Sequence, residues 1–294
     1  MEELKGKTAV ISGGAEGIGL SIARELGNQG MNLVLADINA QQLAAAEQTL
    51  ADAGVPVHTV ALDAANLSQW ETVAEKAISR FGKVHMLVNN AGVSGHTAAV
   101  DDTKDEDWRW VVDVNLMGVV HGTRVMVPLM KSHKEGGWIV NVASMAGFAG
   151  LPLGSPYSAT KAAVVALAES WRAELEPENI YVSVLCPGFV KTRIHESDRN
   201  KPDAYAVETK APSEIAQLMG DQVAAVVGSG MEVEVVGQRV VEAIQAKELY
   251  IFTHPNFRAV VKARFAAIDE AFERAAKSQL LQGDVVPDLP FPGQ

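Results

Sequence analysis

The sequence has few of the features that mark secreted, membrane-spanning or metal-binding proteins. It contains one cysteine, Cys186, which cannot form an internal disulfide and so fits a reducing compartment. No apolar run approaches the roughly 18 residues of a membrane span, and the first seven residues show no signal-peptide pattern. The seven histidines show no metal-ligand spacing. We therefore expect a cytoplasmic protein without a metal.

Positive charge is also scarce. The chain has 25 Lys and Arg against 36 Asp and Glu, a net charge of −11, and no basic stripe runs along it. An acidic surface repels phosphate backbones and anionic lipids, so we expect neither nucleic acid nor a membrane as partner. The chain is nevertheless long enough to bury a large core, since it has 294 residues and 48% of them are apolar.

Short β-branched runs alternate with helical stretches along most of the chain. Strands are predicted at 8–12, 32–37, 57–63, 84–89, 138–142 and 181–185, and helices at 17–29, 39–53, 67–81 and from about Pro156. Nearly continuous apolar strands with short connections to helices are typical of a parallel sheet covered on both faces. The sequence therefore predicts an α/β fold with a doubly wound, Rossmann-like sheet, in a single domain over 1–294 with a helical C-terminal region.

Two stretches break this alternation. Residues 193–230 begin with a polar run and continue into a helix predicted from Pro212. They are either a solvated surface insertion or a substrate lid, since they follow a strand's carboxyl end, where open sheets bind ligands. The final stretch, 283–294, contains three prolines and is expected to be an irregular tail.

A glycine-rich loop follows the first predicted strand and opens into the first predicted helix. Its residues are Ser12, Gly13, Gly14, Ala15, Glu16, Gly17, Ile18 and Gly19. Glycines let backbone N–H groups approach a ligand closely, and a helix N-terminus attracts anions, so the loop predicts a pyrophosphate site. The alternative is a tight turn that uses glycine for steric reasons alone.

Asp37 ends the second predicted strand. Dinucleotide-binding folds place an acid there to accept the adenosine ribose hydroxyls, although Asp is also common as a cap or turn residue. A 2′-phosphate about 4 Å from this carboxylate would be repelled by roughly 4 kcal/mol at an effective dielectric of about 20. Neither Glu16 nor Ile38 offers a compensating cation. The sequence therefore predicts NAD rather than NADP as cofactor.

Tyr157 and Lys161 stand four residues apart near the start of a predicted helix, with Ser155 as its expected cap. Residues at this spacing face the same way. A lysine ammonium some 4–5 Å from a phenol would lower the phenol pKa by about 2–3 units, as a base working near neutral pH requires. The alternative is a solvated pair on an amphipathic helix.

From about Lys7 to Thr192, the sequence resembles the short-chain dehydrogenase/reductases. The matching positions, in chain order, are the Ser12–Gly19 loop, Asp63, the run Asn89-Asn90-Ala91-Gly92, Asn115, Ser144, Tyr157, Lys161, and Pro187-Gly188 with Val190 and Thr192. The loop departs from the family pattern only in having Ser12 in place of threonine. The resemblance implies the same doubly wound fold and an oxidoreductase activity.

The resemblance also implies residue roles. Tyr157 would be the general base in alcohol oxidation, and Lys161 would hold the nicotinamide ribose and lower the phenol pKa. Ser144 would hydrogen-bond the substrate oxygen, and Asn115 would hold a water that links Lys161 to solvent. Cofactor contacts are implied for Gly13, Glu16, Gly17, Ile18, Gly19, Asp37, Asp63, Ala64, Asn90, Ala91, Gly92, Tyr157, Lys161, Pro187, Gly188, Val190 and Thr192.

The substrate is less well defined by the sequence. Candidate pocket residues are His96, Met145, Leu153 and Phe189, and the mostly apolar surroundings favour a bulky hydrophobic secondary alcohol or ketone. A 3-oxoacyl-thioester reductase is an alternative, as is an NAD-binding sensor without catalytic activity. Family members associate through the helices that bear the positions of Asn115 and Lys161, so a homodimer or homotetramer is expected.

Overall fold

Seven parallel strands form one sheet in the order β3-β2-β1-β4-β5-β6-β7. The computed structural model describes residues 3–206 and 214–281. The strands are β1 (Thr8–Ser12), β2 (Asn32–Asp37), β3 (Val57–Ala61), β4 (Met86–Asn89), β5 (Gly137–Val142), β6 (Ile180–Cys186) and β7 (Tyr250–Phe252). The sequence analysis did not identify β7, which has only three residues and extends the sheet beyond β6.

Helices connect the strands. They are α1 (Gly17–Asn28), α2 (Ala40–Asp52), α3 (Leu67–Phe81), α4 (Asp105–Val112), α5 (Gly118–His133), α6 (Ser155–Leu175), α7 (Glu214–Gly228), α8 (Val233–Gln245) and α9 (Arg258–Ala276). Every residue of β1 and β5 is buried, as expected of strands covered by helices on both faces. The predicted doubly wound parallel sheet is therefore confirmed.

Most predicted boundaries lie within one or two residues of the observed ones. The third strand ends at Ala61 rather than Asp63, and the Asp63 carboxylate accepts the Ala65 N–H at 3.0 Å in the turn that follows the strand. The predicted Ser155 cap is wrong: Ser155 is the first residue of α6, and Gly154 precedes it without a side-chain cap.

The sheet order places the functional crevice. β1 pairs with β2 on one side and with β4 on the other. From β1 to β3 the sheet grows toward one edge, and from β4 onward it grows toward the other, so the strand order reverses between β1 and β4. Ligands of open α/β sheets bind outside the carboxyl ends of the strands at such a point. Here the Ser12 hydroxyl accepts the N–H groups of Asn90 and Ala91 at 3.0 and 3.1 Å, which fixes the ends of β1 and β4 together.

The two irregular stretches differ in what the structure shows. Residues 194–200 and 203–205 form short 3₁₀ turns, and α7 accounts for the helix predicted from Pro212, which itself lies outside the described residues. The predicted tail, 283–294, also lies outside them. The assignment of 193–230 as a lid stays a prediction.

The structure divides into two compact units, Met1–Thr253 and His254–Gln294. The first unit contains the whole sheet and every residue that the sequence analysis places in catalysis or cofactor binding. The second contains α9, the main element of the predicted helical C-terminal region. Among the described residues, no helix is long and apolar enough to cross a membrane.

Candidate active site

The glycine loop between β1 and α1 is shaped by close backbone contacts. Gly13 has φ +60°, and a Cβ there would lie 2.8 Å from the amide nitrogen of Asn90. A Cβ on Gly19 would overlap the carbonyl oxygen of Gly13. Glycine is therefore required at both positions, which leaves room for a ligand to approach the backbone.

The N-terminus of α1 is available to an anion. Glu16 precedes the helix in an extended conformation without a side-chain cap, and the first turn contains no acidic residue. The first N–H groups of a helix have no partner within the helix and carry partial positive charge. The donor set of this loop therefore fits a pyrophosphate, as the sequence predicted.

Asp37 fixes the glycine loop from the end of β2. Its carboxylate accepts the N–H of Ala15 at 3.1 Å and the N–H of Asn39 at 3.0 Å. Burial raises the pKa of Asp37, while these backbone hydrogen bonds act in the opposite direction. Asp37 is not the cap of α2; Asn39 occupies that position and accepts the Gln42 N–H. Asp37 therefore lines the crevice and also supports the loop beside it.

Glu16, in the same loop, is paired with cations that the sequence analysis did not connect to it. Its carboxylate forms an ion pair with Arg199 and lies 3.8 Å from the guanidinium of Arg193. Arg193 and Arg199 belong to the segment 193–205, which is also held at its far end. There Lys201 pairs with Asp107 at 2.6 Å and the Tyr205 hydroxyl donates to Asp113 at 2.9 Å. Residues 193–205 thus lie across the crevice.

One cleft brings together nearly all of the predicted site. Its lining includes Gly13, Glu16, Gly17, Ile18, Asp37, Asp63, Ala64, Asn90, Ala91, Gly92, Ser144, Tyr157, Lys161, Pro187, Gly188, Val190 and Thr192. Gly19 and Asn115 are buried outside this lining. The positions come from seven separate segments, which the carboxyl ends of the parallel strands and the start of α6 bring together at one edge.

Ser144 and Tyr157 are in contact inside this cleft. Ser144 follows β5, and its hydroxyl accepts the Ala146 N–H at 3.1 Å, which fixes its orientation. Its side chain lies next to the hydroxyl of Tyr157, in the first turns of α6, and acts to lower the pKa of that phenol. Burial raises the pKa of Tyr157, and the contact with Ser144 only partly offsets this effect. The two hydroxyls can therefore share one substrate oxygen.

Lys161 does not donate to Tyr157 in this structure. Its ammonium donates to the Val142 carbonyl at 2.9 Å and lies 5.5 Å from the centre of the Tyr157 ring. Burial lowers the pKa of Lys161 to about 8. The predicted lowering of the phenol pKa by Lys161 is thus not seen here, because the desolvation of the hydroxyl dominates.

Asn115 supports the site from a π-helical turn, Asp113–Met117, between α4 and α5. Its side chain accepts the Val93 N–H at 2.8 Å and donates to the Val93 carbonyl at 2.9 Å. It also lies 3.4 Å from the hydroxyl of Thr160, next to Lys161. Asn115 therefore fixes the loop after β4. Its implied water contact stays a prediction.

Comparison with known proteins identifies the family. Residues 7–203 match the short chain dehydrogenase family. The chain belongs to that family. A short-chain dehydrogenase/reductase from Burkholderia phymatum, solved in complex with NAD, is 37% identical with a TM-score of 0.88, over 99% of this chain and 100% of that chain.

Two characterised relatives extend this finding. A "CLA biosynthesis dehydrogenase/reductase" from Lactiplantibacillus plantarum is 32% identical over 91% of this chain and 95% of the relative. A "3beta-hydroxysteroid dehydrogenase 2" from Eggerthella lenta is 34% identical over 79% of this chain and 94% of the relative. The chain is thus an oxidoreductase with a Rossmann fold that binds a nicotinamide dinucleotide.

The predicted substrate residues are not part of the cleft of this short-chain dehydrogenase. Its lining does not include His96, Met145, Leu153 or Phe189. Met145 is buried, His96 lies 3.3 Å from the Asp198 carboxylate, and the carbonyl of Leu153 accepts the Ala98 N–H. Their contact with substrate stays a prediction.

The sequence analysis missed other residues of the cleft. Its apolar wall includes Trp110, Val114, Ile194, Pro202 and Val227. No motif marks these positions, since they come from α4, the adjoining π-helical turn, the 193–205 segment and α7. The sequence analysis indicated Ile194, Pro202 and Val227 only indirectly, because it placed the whole stretch 193–230 after a strand's carboxyl end, where open sheets bind ligands.

One group in the described residues has the composition of a metal site. His85, His133 and Glu135 offer ligand atoms within 4.8 Å of one another. However, His85 accepts the Thr8 N–H through Nδ1 and contacts Glu135 through Nε2, while His133 contacts the Val84 carbonyl and accepts the Glu135 N–H. All four ring nitrogens are used in hydrogen bonds, so this cluster is a structural network.

Proposed function

We propose that the protein is an NAD-dependent dehydrogenase that transfers a hydride between a bulky hydrophobic secondary alcohol or ketone and the cofactor. The observation that carries this proposal is that Ser144 and Tyr157 are neighbours in the lining of the cleft that Asp37 and the glycine loop also line. This arrangement supports a proton transfer next to a bound dinucleotide.

The residues present suit the cofactor. The loop Gly13–Gly19 and the α1 N-terminus would hold the pyrophosphate, Asp37 the adenosine ribose, and Lys161 the nicotinamide ribose. When bound, the cofactor would supply the hydride acceptor and, in its oxidised form, a positive charge that favours the phenolate.

The protein residues move the proton. Ser144 hydrogen-bonds the carbinol oxygen and orients it, and Tyr157, acting as the phenolate, takes the hydroxyl proton as the carbon–hydrogen bond breaks. Lys161, with a pKa of about 8, is positioned to pass a proton toward the side of the site where Asn115 lies. In the ketone-reducing direction the same groups act in reverse, with Tyr157 as the acid.

The preference for NAD rests on Asp37. Its carboxylate lines the cleft, and a 2′-phosphate about 4 Å away would be repelled by roughly 4 kcal/mol at an effective dielectric of about 20. Glu16 adds less repulsion, because Arg199 and Arg193 pair with it. We propose NAD as the physiological cofactor for this reason.

The substitution Asp37→Asn tests the cofactor proposal. It keeps one acceptor oxygen for the loop but removes the charge, so the ratio of kcat/KM for NAD over NADP is expected to fall at least about tenfold. The matched control is Asp52→Asn, at the exposed end of α2, which is expected to leave the ratio unchanged. An unchanged ratio in Asp37→Asn would show that another residue sets the preference.

The substrate class rests on the apolar wall formed by Trp110, Val114, Ile194, Pro202 and Val227. Such a wall gains free energy by covering apolar surface. A panel of steroid, cyclic and aryl secondary alcohols with NAD⁺, followed by the absorbance of reduced nicotinamide, tests the proposal. Turnover of 3-oxoacyl thioesters instead would favour the reductase alternative, and no turnover of any compound would favour the sensor.

We further propose a homodimer or homotetramer in the cytoplasm. Members of the family are typically oligomeric and act on small molecules. The acidic composition fits a protein without a nucleic-acid or membrane partner.

A further inference from the structure

The glycine loop contains an anion of its own at the mouth of the proposed pyrophosphate site. Glu16 occupies the cap position of α1, with an extended backbone and no hydrogen bond from its side chain to the first turn. The N–H groups of that turn have no partner within the helix and attract negative charge. A pyrophosphate would use the same donors. The Glu16 carboxylate is therefore a competitor of the cofactor within the chain itself.

Two arginines of the segment 193–205 hold this carboxylate. Arg199 donates through Nη2 to Oε1 of Glu16, and Nη1 of Arg193 lies 3.8 Å from Oε2. The side chains of Arg199 and Glu16 are 23% and 33% exposed, so water screens their attraction only in part. Both carboxylate oxygens thus face cations of the segment, while the first turn of α1 has no side-chain cap.

The guanidinium of Arg199 is itself fixed in place. Its Nη1 donates to the backbone carbonyls of Arg193 and Glu196 at 2.7 and 2.9 Å. A side chain that is already ordered loses little further freedom when it forms an ion pair, so the usual entropy cost of a surface pair is reduced. Arg199 is therefore built to hold Glu16 in one orientation.

The charges around Glu16 are balanced. Arg193 also pairs with Glu196 at 2.7 Å, so two arginines face two glutamates. Without Arg199 one arginine would face two glutamates, which is an excess of one negative charge beside the site of an anionic ligand. Asp37, which lines the same cleft, would add to this repulsion.

We propose that Arg199 is a positioning residue for the dinucleotide. It turns the Glu16 carboxylate away from the N-terminus of α1 and neutralises it, which leaves the N–H groups of the first turn free for the pyrophosphate. Arg199 acts through Glu16 and does not itself hold the cofactor. The inference rests on the proposed function in one respect, namely that the glycine loop is the pyrophosphate site.

The substitution Arg199→Met tests the role of the cation. Calorimetry at low ionic strength is expected to show about five- to tenfold weaker NAD binding, because an unpaired Glu16 competes with the pyrophosphate. Arg199→Lys keeps the charge and is expected to bind NAD within about twofold of the wild type. Arg24→Met is the matched control, since Arg24 pairs with Glu234 at 3.8 Å in the second half of α1 and its loss changes the net charge equally. It is expected to leave NAD affinity unchanged.

A double variant distinguishes action through Glu16 from direct contact of Arg199 with the cofactor. In Glu16→Gln the competing charge is absent, so NAD is expected to bind at least as tightly as in the wild type. Adding Arg199→Met to that variant is expected to change the affinity by less than about twofold. If the double variant binds NAD as weakly as Arg199→Met alone, Arg199 contacts the phosphates directly and the proposal is wrong.

Salt dependence is a readout that a merely structural defect would not move. The Debye length falls from about 10 Å at about 0.1 M salt to about 3 Å at about 1 M, so the defect of Arg199→Met is expected to shrink at high salt. Wild-type affinity in Arg199→Met at low salt, or a defect that does not change with salt, would overturn this inference alone. A wild-type protein that binds no NAD would overturn the proposed function and this inference with it.

Discussion

Among the individual residues of the site, burial is the main cause of the shifted pKa values of Tyr157 and Lys161. Lys161 is buried and Tyr157 is half-buried in the lining of the cleft, and burial acts against the charged form of each. The spacing of four residues correctly places them on one side of α6. The spacing could not show that the ammonium would donate to the Val142 carbonyl, because that contact comes from β5.

The first prediction concerns the proton-transfer role of Tyr157. Tyr157→Phe is expected to lower kcat by about 10²–10⁴-fold, because the ring remains but the group that accepts the proton is lost. NAD binding, measured by calorimetry, should persist. Tyr181→Phe is the control, since its hydroxyl contacts Lys247 at 3.0 Å and is not part of the cleft. Near-normal turnover in Tyr157→Phe would remove this residue from the mechanism.

The second prediction concerns the cost of burying Lys161. Its pKa is about 8 in the folded protein and about 10.4 in the unfolded chain. Between these values the unfolded chain binds more protons, so the free energy of unfolding rises as the pH rises from 8 to 10.5. Below pH 8 the full cost, about 3 kcal/mol, is present.

Lys161→Met should therefore remove this pH dependence while it abolishes turnover. At pH 7.5 and without cofactor, its free energy of unfolding is expected to exceed that of the wild type by about 1 kcal/mol, after the loss of the hydrogen bond to Val142. Chemical denaturation across the pH range measures both effects, with the exposed Lys76→Met as control. A flat wild-type curve between pH 8 and 10 would contradict the prediction.

At the element scale, the unit of β1, glycine loop and α1 forms the cofactor end of the site. Its strand is a short apolar run, and its helix begins without a side-chain cap. The sequence was sufficient to predict this unit because strand, loop and helix are contiguous. The segment 193–205, which crosses the same crevice, could not be predicted from local pattern, because its contacts with Glu16 and Asp107 join distant parts of the chain.

The third prediction compares two helix glycines. A Cβ at Gly19 would overlap the Gly13 carbonyl, whereas a Cβ at Gly220 in α7 meets nothing within 4 Å. Gly19→Ala is thus expected to displace the loop and weaken NAD binding at least about tenfold. Gly220→Ala should bind NAD normally and stabilise the protein by about 0.5–1 kcal/mol. Equal NAD affinity in both variants would show that the loop does not hold the pyrophosphate.

At the scale of the whole molecule, the two edges of the sheet have different roles. The carboxyl edge collects the cleft residues, while the amino edge carries the network of His85, His133 and Glu135. That network ties β1 to β4 through the contact of Thr8 with His85. His85, His133 and Glu135 are residue types that often bind metals, but here they form hydrogen bonds that hold the amino edge of the sheet together.

The fourth prediction follows from the coupling of cofactor binding to folding. A ligand at 100 times its dissociation constant stabilises the folded state by about 2.7 kcal/mol. NAD should therefore raise the thermal midpoint of unfolding, and NADP at the same concentration should raise it less, because of Asp37. Equal shifts from the two dinucleotides, measured by calorimetry, would contradict the proposed cofactor preference.

Six of the seven strands, the helices between them, the glycine loop, Asp37 and the Tyr157–Lys161 pair could be predicted from sequence patterns, and the remaining cofactor positions came from the resemblance to the short-chain dehydrogenase/reductases. The patterns sufficed for these elements because apolar strands, the glycine loop and the Tyr157–Lys161 spacing are local, so their geometry follows from the backbone. The short seventh strand, the apolar wall around Trp110 and the ion pairs of Glu16 became evident only in the folded molecule. Those features depend on which distant side chains meet, and the local order of residues does not specify such contacts.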